Sequence, residues 1–350
     1  MGNSRHTISD DFIIQDLGDL TNRYFTKSAR YAQAGSMPSE KAILFAAQSN
    51  EILIYDTTYT AGSSASPFSF FSGTQDLPFS VSCWFYLTGT PSATAILVCK
   101  GNWPGGAARE WALTVSTSNR VNFLLEDESQ SSRGTRGKFT SSALSTGQWY
   151  HVVATYSGNE DNDGCKIYVN GSAVTISHSG LSTGTYAGMD TSAGGYYGFI
   201  GGSTTPAYMS DVSIWSTELS AANVTSMYNS GVPTNLAEAE RLSVLPVGSL
   251  VSWWRMGNEP GDVIKAGGSS AVSADNIIQD ASGNRRHAKP HTGFEGDEIV
   301  TNIHPKSARP GTEFENPDGM YKPKHAPFNL VNRGVPNLRK RNSAYKVTKS

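Results

Sequence analysis

Residues Leu144 to Asn170 read LSTGQWYHVVATYSGNEDNDGCKIYVN, and Gly171 follows at once. Two strand-like runs, one around Trp149-Tyr150-His151-Val152-Val153 and one around Ile167-Tyr168-Val169, are joined by the polar acidic loop Glu160-Asp161-Asn162-Asp163-Gly164. Valine, isoleucine, tyrosine and tryptophan suit a pleated, half-buried surface. The second run closes on Asn170-Gly171, residues that accept the two positive-φ positions of a tight hairpin turn. The stretch predicts a β-meander.

Working outward, FSVSCWFYL from Phe79 to Leu87 places Val81, Cys83, Phe85 and Leu87 on one strand face and Trp84 and Tyr86 on the other. Apolar weight on both faces marks an interior strand. Ala42–Phe45, Ile52–Tyr55, Ile96–Lys100, Trp111–Val115, Val121–Leu125, Tyr197–Gly202, Ala207–Trp215 and Leu250–Met256 read as further strands, and Ile277–Asn284 as a short strand entering a turn. Glu218–Gly231 differs: Ser220 is a good N-cap, Val224, Met227 and Tyr228 fall at helical spacing, and Gly231 stands where a terminal glycine belongs. One short helix is predicted. No alternating helical pattern intervenes between the strands, which argues against a parallel α/β sheet.

At 350 residues the chain has room for one or two domains. Only 17% of it is charged and 35 residues are glycine, a bias toward turns and pleated strands. The net charge of −2 conceals an asymmetry: from Arg285 onward 13 Lys/Arg stand against 6 Asp/Glu, so that the tail is about +7 and the preceding body about −9. A basic tail without an aromatic-basic repeat is read as an arm for an acidic protein surface, and nucleic acid is disfavoured. Cys83, Cys99 and Cys165 sit inside apolar runs at unrelated spacings, which predicts free buried thiols. The N-terminus MGNSRHTISDDF has no apolar signal core, and no run is long and apolar enough to span a bilayer. Residues 1–40 are expected to be an N-terminal arm, 41–290 the sandwich, and the proline-rich 291–350 an extended arm that orders only against a partner.

The strand motifs are collinear with a known family. Phe79–Phe85, Ile96–Gly101, Gln148–Val153, Ile167–Gly171, Ile200–Gly202 and Ser210–Ser220 together resemble the laminin-G-like, concanavalin A-like jelly rolls, over roughly Ala42 to Ala288. The resemblance implies an all-β, antiparallel two-sheet sandwich. Leu250–Gly257 with Asp280–Asn284 resembles a unit that opens the domain in many members; here it comes last and is read as a closing strand. The order of helix, Asn229-Ser230-Gly231, Leu250–Gly257 and Asp280–Asn284 is similar to jelly-roll structural proteins of tailed phages. That likeness implies a non-enzymatic virion component (capsid decoration, tail or fibre), homo-oligomeric within an assembly, holding other virion proteins through both arms. A stand-alone lectin or jelly-roll glycoside hydrolase is the alternative.

Few residues invite chemistry. Glu126-Asp127-Glu128 closes a strand at a sandwich rim, where relatives sometimes hold calcium for glycan binding, and Trp103 with Arg109 offers a ring and a fork donor for a host-surface sugar, although Trp103-Pro104-Gly105-Gly106 reads equally as a loop plug. These five are the candidate ligand residues. Asp161 and Asp163 resemble the first ligands of a calcium loop but lack the closing bidentate glutamate, so a solvated hairpin loop competes with a metal site. His151 lies mid-strand and is expected to be packed, not catalytic. No nucleophile elbow, phosphate-cradling loop or alternating glycosidase carboxylates are present.

Overall fold

A computed structural model describes residues 40–303 apart from 46–49, 55–65, 102, 104–108, 130–133, 179–180, 190–197, 203–204, 266–275, 292 and 302. In chain order the strands are β1 Lys41–Phe45, β2 Glu51–Ile54, β3 Phe79–Leu87, β4 Ala95–Lys100, β5 Trp111–Val115, β6 Val121–Asp127, β7 Gly134–Thr140 and β8 Trp149–Tyr156. They continue with β9 Cys165–Val169, β10 Ser172–Ala173, β11 Ile176–Ser177, β12 Gly198–Gly201, β13 Ala207–Trp215, β14 Leu250–Trp254, β15 Lys289–Pro290 and β16 Ile299–Thr301. Two helices, α1 Ala221–Tyr228 and α2 Leu236–Arg241, lie between β13 and β14.

The first sheet runs β10-β9-β8-β3-β13-β1-β16 with β14 beside β13, and the second runs β11-β7-β6-β5-β4-β12-β2-β15. Strand pairing is antiparallel throughout the named strands. The inward residues of β3 meet Val152, Ala154 and Tyr156 of β8 and, across the sandwich, Leu113, Val115, Phe123 and Leu125. Phe79 anchors one end of this core, stacked on Phe70 at 4.4 Å and tilted against Trp111 at 5.5 Å. Each such side chain removed from water contributes about 1.5–3 kcal/mol before the entropy of ordering is set against it. The three cysteines are free and buried.

A second apolar layer covers part of the outer face of the first sheet. Val153, Tyr168, Trp215 and Trp253 from the strands pack with Val224 and Met227 of α1 and Leu236 of α2. The Ser220 side chain accepts from the Asn223 backbone, and the Asn223 side chain accepts in return from the Ser220 backbone, so two unpaired donors at the start of α1 are met reciprocally. Among the described residues no helix is long and apolar enough to cross a membrane.

The short helix expected at Glu218–Gly231 is present as α1, and two other expectations are corrected. Helix α2, of six residues with Asn235 as its N-cap, lies beyond the predicted range. The residue that ends α1 is Asn229, in the left-handed region at φ 46°, and Gly231 lies in the turn beyond. The sandwich also runs past residue 290. Phe294 packs edge-on against Phe45 at 6.1 Å, and β16 pairs with β1 as an edge strand. By contrast Leu250–Trp254 does close the sandwich, pairing with β13. The expected arms at 1–40 and 291–350 otherwise lie outside the described residues.

Candidate functional site

Register places the ends of β4 and β6 and the start of β5 at one rim, with Lys100 opposite Trp111 and Trp111 opposite Leu125. Backbone bonds continue the ladder there, from the Glu110 amide to the Lys100 carbonyl at 3.0 Å and from the Glu126 amide to the Glu110 carbonyl at 2.8 Å. The rim side chains are held at fixed spacing by the sheet itself.

Arg109 organises this rim. Its Nε and Nη2 lie 2.8 and 2.7 Å from Oε1 of Glu128, and Nε lies 3.2 Å from Oε2 of Glu126. The guanidinium carbon is 5.2 Å above the centre of the Trp103 ring. Trp103 in turn donates through Nε1 to the Lys100 carbonyl at 3.2 Å. Beside this group Lys100 stands 3.4 Å from Glu110, which accepts two bonds from the Ser69 hydroxyl. Burial and the nearby Glu128 carboxylate push the Glu126 carboxyl up to about 7 against the pull of Arg109. The cluster therefore holds a carboxyl that changes charge near neutrality beside a permanent cation.

Four of the five candidate ligand residues thus converge: Trp103, Arg109, Glu126 and Glu128. Of the two readings of Trp103, sugar platform and loop plug, its burial fits the plug. It is 8% exposed and packs with Ile96, Cys99, Ala112 and Phe199, so it is the floor under Arg109 and not a ring offered to a sugar. Asp127 faces elsewhere. Its Oδ1 accepts from the Ser129 amide and hydroxyl and its Oδ2 from the Ala187 amide at 2.8 Å, which ties down two loops.

The acidic hairpin loop does not build a calcium cage among the described residues. Asp161 caps the short turn at Asn162–Gly164, and Asp163 points to solvent, 91% exposed and 3.8 Å from Lys138. Calcium takes six to eight oxygen ligands. Among the described residues no three His, Cys, Asp or Glu side chains are grouped to hold a metal. His151 is packed as expected, 4.9 Å from the Trp84 ring and 6.2 Å from Tyr228, and burial pushes its pKa down to about 3.

Asp76 is a buried, multiply bonded carboxylate that the sequence did not single out. It accepts from the hydroxyls of Tyr156 at 2.8 Å and Tyr186 at 2.6 Å, and from the Met189 amide at 2.8 Å. Burial pushes its carboxyl and both phenols upward. Nothing in the turn before β3 announces a carboxylate shared by two distant tyrosines, because the partners lie 80 and 110 positions away.

Comparison with known proteins gives a match to a family model over part of the chain. Residues 56–225 match the laminin G model of the concanavalin A-like lectin/glucanase superfamily. No curated protein matches. Among solved structures the chain is similar to a Bacteroides ovatus protein described as carbohydrate-binding, at 17% identity and TM-score 0.43, covering 76% of this chain and 62% of that one. It is similar to Trypanosoma rangeli sialidase at 15% identity and TM-score 0.31, covering 44% of this chain and 23% of that one. A heptameric pentraxin from Limulus polyphemus matches at 17% identity and TM-score 0.30, covering 52% of this chain and 82% of that one.

Proposed function

We propose that this chain, whose residues 56–225 match a concanavalin A-like family model, is a non-enzymatic structural component of a virion-type assembly, anchored to neighbouring subunits by the segments that flank the sandwich. The observation that carries this reading is the pairing of β1 with β16, in which Lys41 faces Thr301. The chain enters and leaves the sandwich on adjacent strands, about 5 Å apart. In sequence, residues 1–39 precede β1 and residues 304–350 follow shortly after β16. The second of these carries 10 Lys/Arg against 3 Asp/Glu, while the part of the chain before Arg285 is about −9, so the sandwich of a neighbouring copy offers it a surface of opposite sign. The motif order similar to tailed-phage structural proteins favours a virion over a free module.

The rim supports the non-enzymatic part. Hydrolysis of a glycosidic bond uses two carboxyl groups on either side of it, roughly 5 to 9.5 Å apart. Here Glu126 and Glu128 both turn onto one arginine. The test compares the full chain with one ending at Ile303. Both are expected to melt alike, and only the full chain is expected to enter particles. Equal incorporation of the two overturns the anchoring role.

A second reading, glycan recognition at the rim, is favoured by the convergence of Arg109, Glu126 and Glu128 over Trp103. A glycan array probed with the full chain and with Arg109→Ala, each with and without EDTA, tests it. Binding lost in the variant supports the rim as a sugar site, and sensitivity to EDTA adds calcium.

A further inference from the structure

The acidic hairpin loop acquires a use where it meets β7. Residues directly opposite in an antiparallel pair share a face, and register sets Lys138 opposite Phe123 and Arg136 opposite Leu125, so two cations stand on the side of β7 that faces the core. Arg136 is settled there: it lies 5.0 Å over the Tyr186 ring and donates to the Thr135 carbonyl at 2.9 Å. Lys138 is not. It is 8% exposed, yet among the described residues its ammonium has one hydrogen bond, 3.4 Å to Nδ1 of His178, and one carboxylate, Oδ1 of Asp163 at 3.8 Å. An ammonium carries three donors and is costly to bury without a counter-charge. Asp163 supplies little of one, because its side chain is 91% exposed and an ion pair held in water is weak. Inward charges can guard an open strand edge against pairing. This edge is already met: β11 pairs with Phe139 and Thr140, Thr183 bridges to Thr135, and the Gly137 amide donates to Oδ1 of Asn162 at 2.9 Å.

We propose that Lys138 and His178 bind a small tetrahedral oxyanion, phosphate or sulfate, where β7, the β8–β9 hairpin loop and the residue after β11 meet, with the Asp163 carboxylate as its competitor. Lysine is a point charge with rotatable donors, which suits an anion presenting oxygens in several directions; a planar carboxylate fits the arginine fork better. The imidazole adds to this. When Nδ1 of His178 accepts from the ammonium, the ring proton is on Nε2, a further N–H donor on an exposed side chain. Asn162 fixes the frame, since its Oδ1 accepts from the Gly137 amide and from the Ser182 hydroxyl and so joins the hairpin loop to both flanking segments. Asp163, two residues from its fellow acid Asp161 in the loop, is the one acid placed to feel the lysine, and its exposure leaves it free to turn away. The site is separate from the rim around Arg109 and rests on neither reading of the function.

Equilibrium dialysis of the full chain against radiolabelled inorganic phosphate, at an ionic strength held constant with chloride, tests it. Saturable uptake is expected, displaced by sulfate and not by exchange of the background chloride. Lys138→Met is expected to weaken it about tenfold, the loss of one charge-assisted bond. Asp163→Asn, at a side chain too exposed to disturb the fold, is expected to tighten it about fivefold by removing a competing charge. Lys166→Met, at a lysine paired with Glu218 on another surface, leaves it unchanged. Within that result methyl phosphate separates the sources: competition equal to that of phosphate admits the end group of a larger ligand, and failure to compete restricts the site to the free ion. Uptake that is absent or does not saturate overturns the proposal, as does displacement by chloride on a par with sulfate. Unchanged affinity in Asp163→Asn overturns it too, whether or not Lys138→Met folds.

Discussion

Arg109 is the residue on which the rim depends, because the buried Glu126, the half-buried Glu128 and one indole ring share its guanidinium. Arg109→Ala leaves two carboxylates without their cation and removes the cover of Trp103, and a loss of about 3 kcal/mol is expected in urea unfolding. Arg109→Lys is expected to recover only part of this, since a point charge cannot reach both glutamates in the fork geometry. Titration gives a second test. Glu126 holds its proton up to about 7 in the folded chain against 4.5 ordinarily, so its contribution is present in full below pH 4.5 and is lost as pH rises through 7. His151 has the opposite sign. Its pKa falls from 6.5 to about 3, so stability is lost as pH falls from 6.5 toward 3. Between pH 4.5 and 6.5 the two slopes oppose, each at most about 1.4 kcal/mol per pH unit. Glu126→Gln removes one of them, and the variant is expected to lose stability on acidification from pH 6.5 to 5 more steeply than the parent. Superimposable pH profiles for the two proteins would refute the Glu126 assignment. The sequence identified the acids and the arginine as candidates because they end a strand and flank a loop. It left the orientation of Trp103 open, since a Trp-Pro-Gly-Gly run has no periodicity to mark a buried face.

The elements legible in the sequence are those whose burial is written in side chains. β3 and β8 are rich in apolar and aromatic side chains and are buried along nearly their whole length, and Asn170 and Gly171 take φ of 51° and 79°, as a type I′ turn demands. The turn does more than reverse the chain. The Thr225 hydroxyl of α1 donates to the Gly171 carbonyl at 3.0 Å, and a Cβ on Gly171 would lie 2.9 Å from the Tyr228 ring. Gly171→Ala is therefore expected to cost about 2 kcal/mol from the left-handed backbone and to displace α1 as well, visible as a changed near-ultraviolet signal from the Trp84–His151–Tyr228 stack. A lost hairpin with an unmoved helix would contradict the link. β7 was illegible for the converse reason. Its sequence GTRGKFT has no apolar run, and its place rests on close backbone approach: a Cβ on Gly134 would come 1.9 Å from the Thr185 carbonyl oxygen, and one on Gly137 would come 2.7 Å from that of Phe123. Helix α2 left little trace because six residues are too few to show a repeat.

For the whole molecule, the end of the sandwich decides what can be removed from it. Both sheets finish in strands of two or three residues, β10 and β16 in one and β11 and β15 in the other, and β15 carries Pro290. Short or proline-bearing edges discourage pairing with another chain. They are also the strands a sequence reading overlooks, which is why the apolar density after His291 suggested an arm while Phe294 and β16 belong to the fold. Several contacts from this segment close the first strands: the Leu44 amide donates to the Glu298 carbonyl at 2.8 Å, Asn50 donates to the Gly293 carbonyl at 3.0 Å, and Phe294 packs on Phe45. A chain ending at His291 gives up all of these together and exposes β1 as an edge. It is expected to unfold about 3–5 kcal/mol more easily than the full chain, a cost of the order of deleting a buried phenylalanine. A chain ending at Ile303 keeps them, and is expected to match the full chain within about 0.5 kcal/mol, the ordinary range for changes outside packed structure. Urea unfolding of the three lengths separates the alternatives, since equal stability of the 291 and 303 endings would return residues 292–303 to the arm.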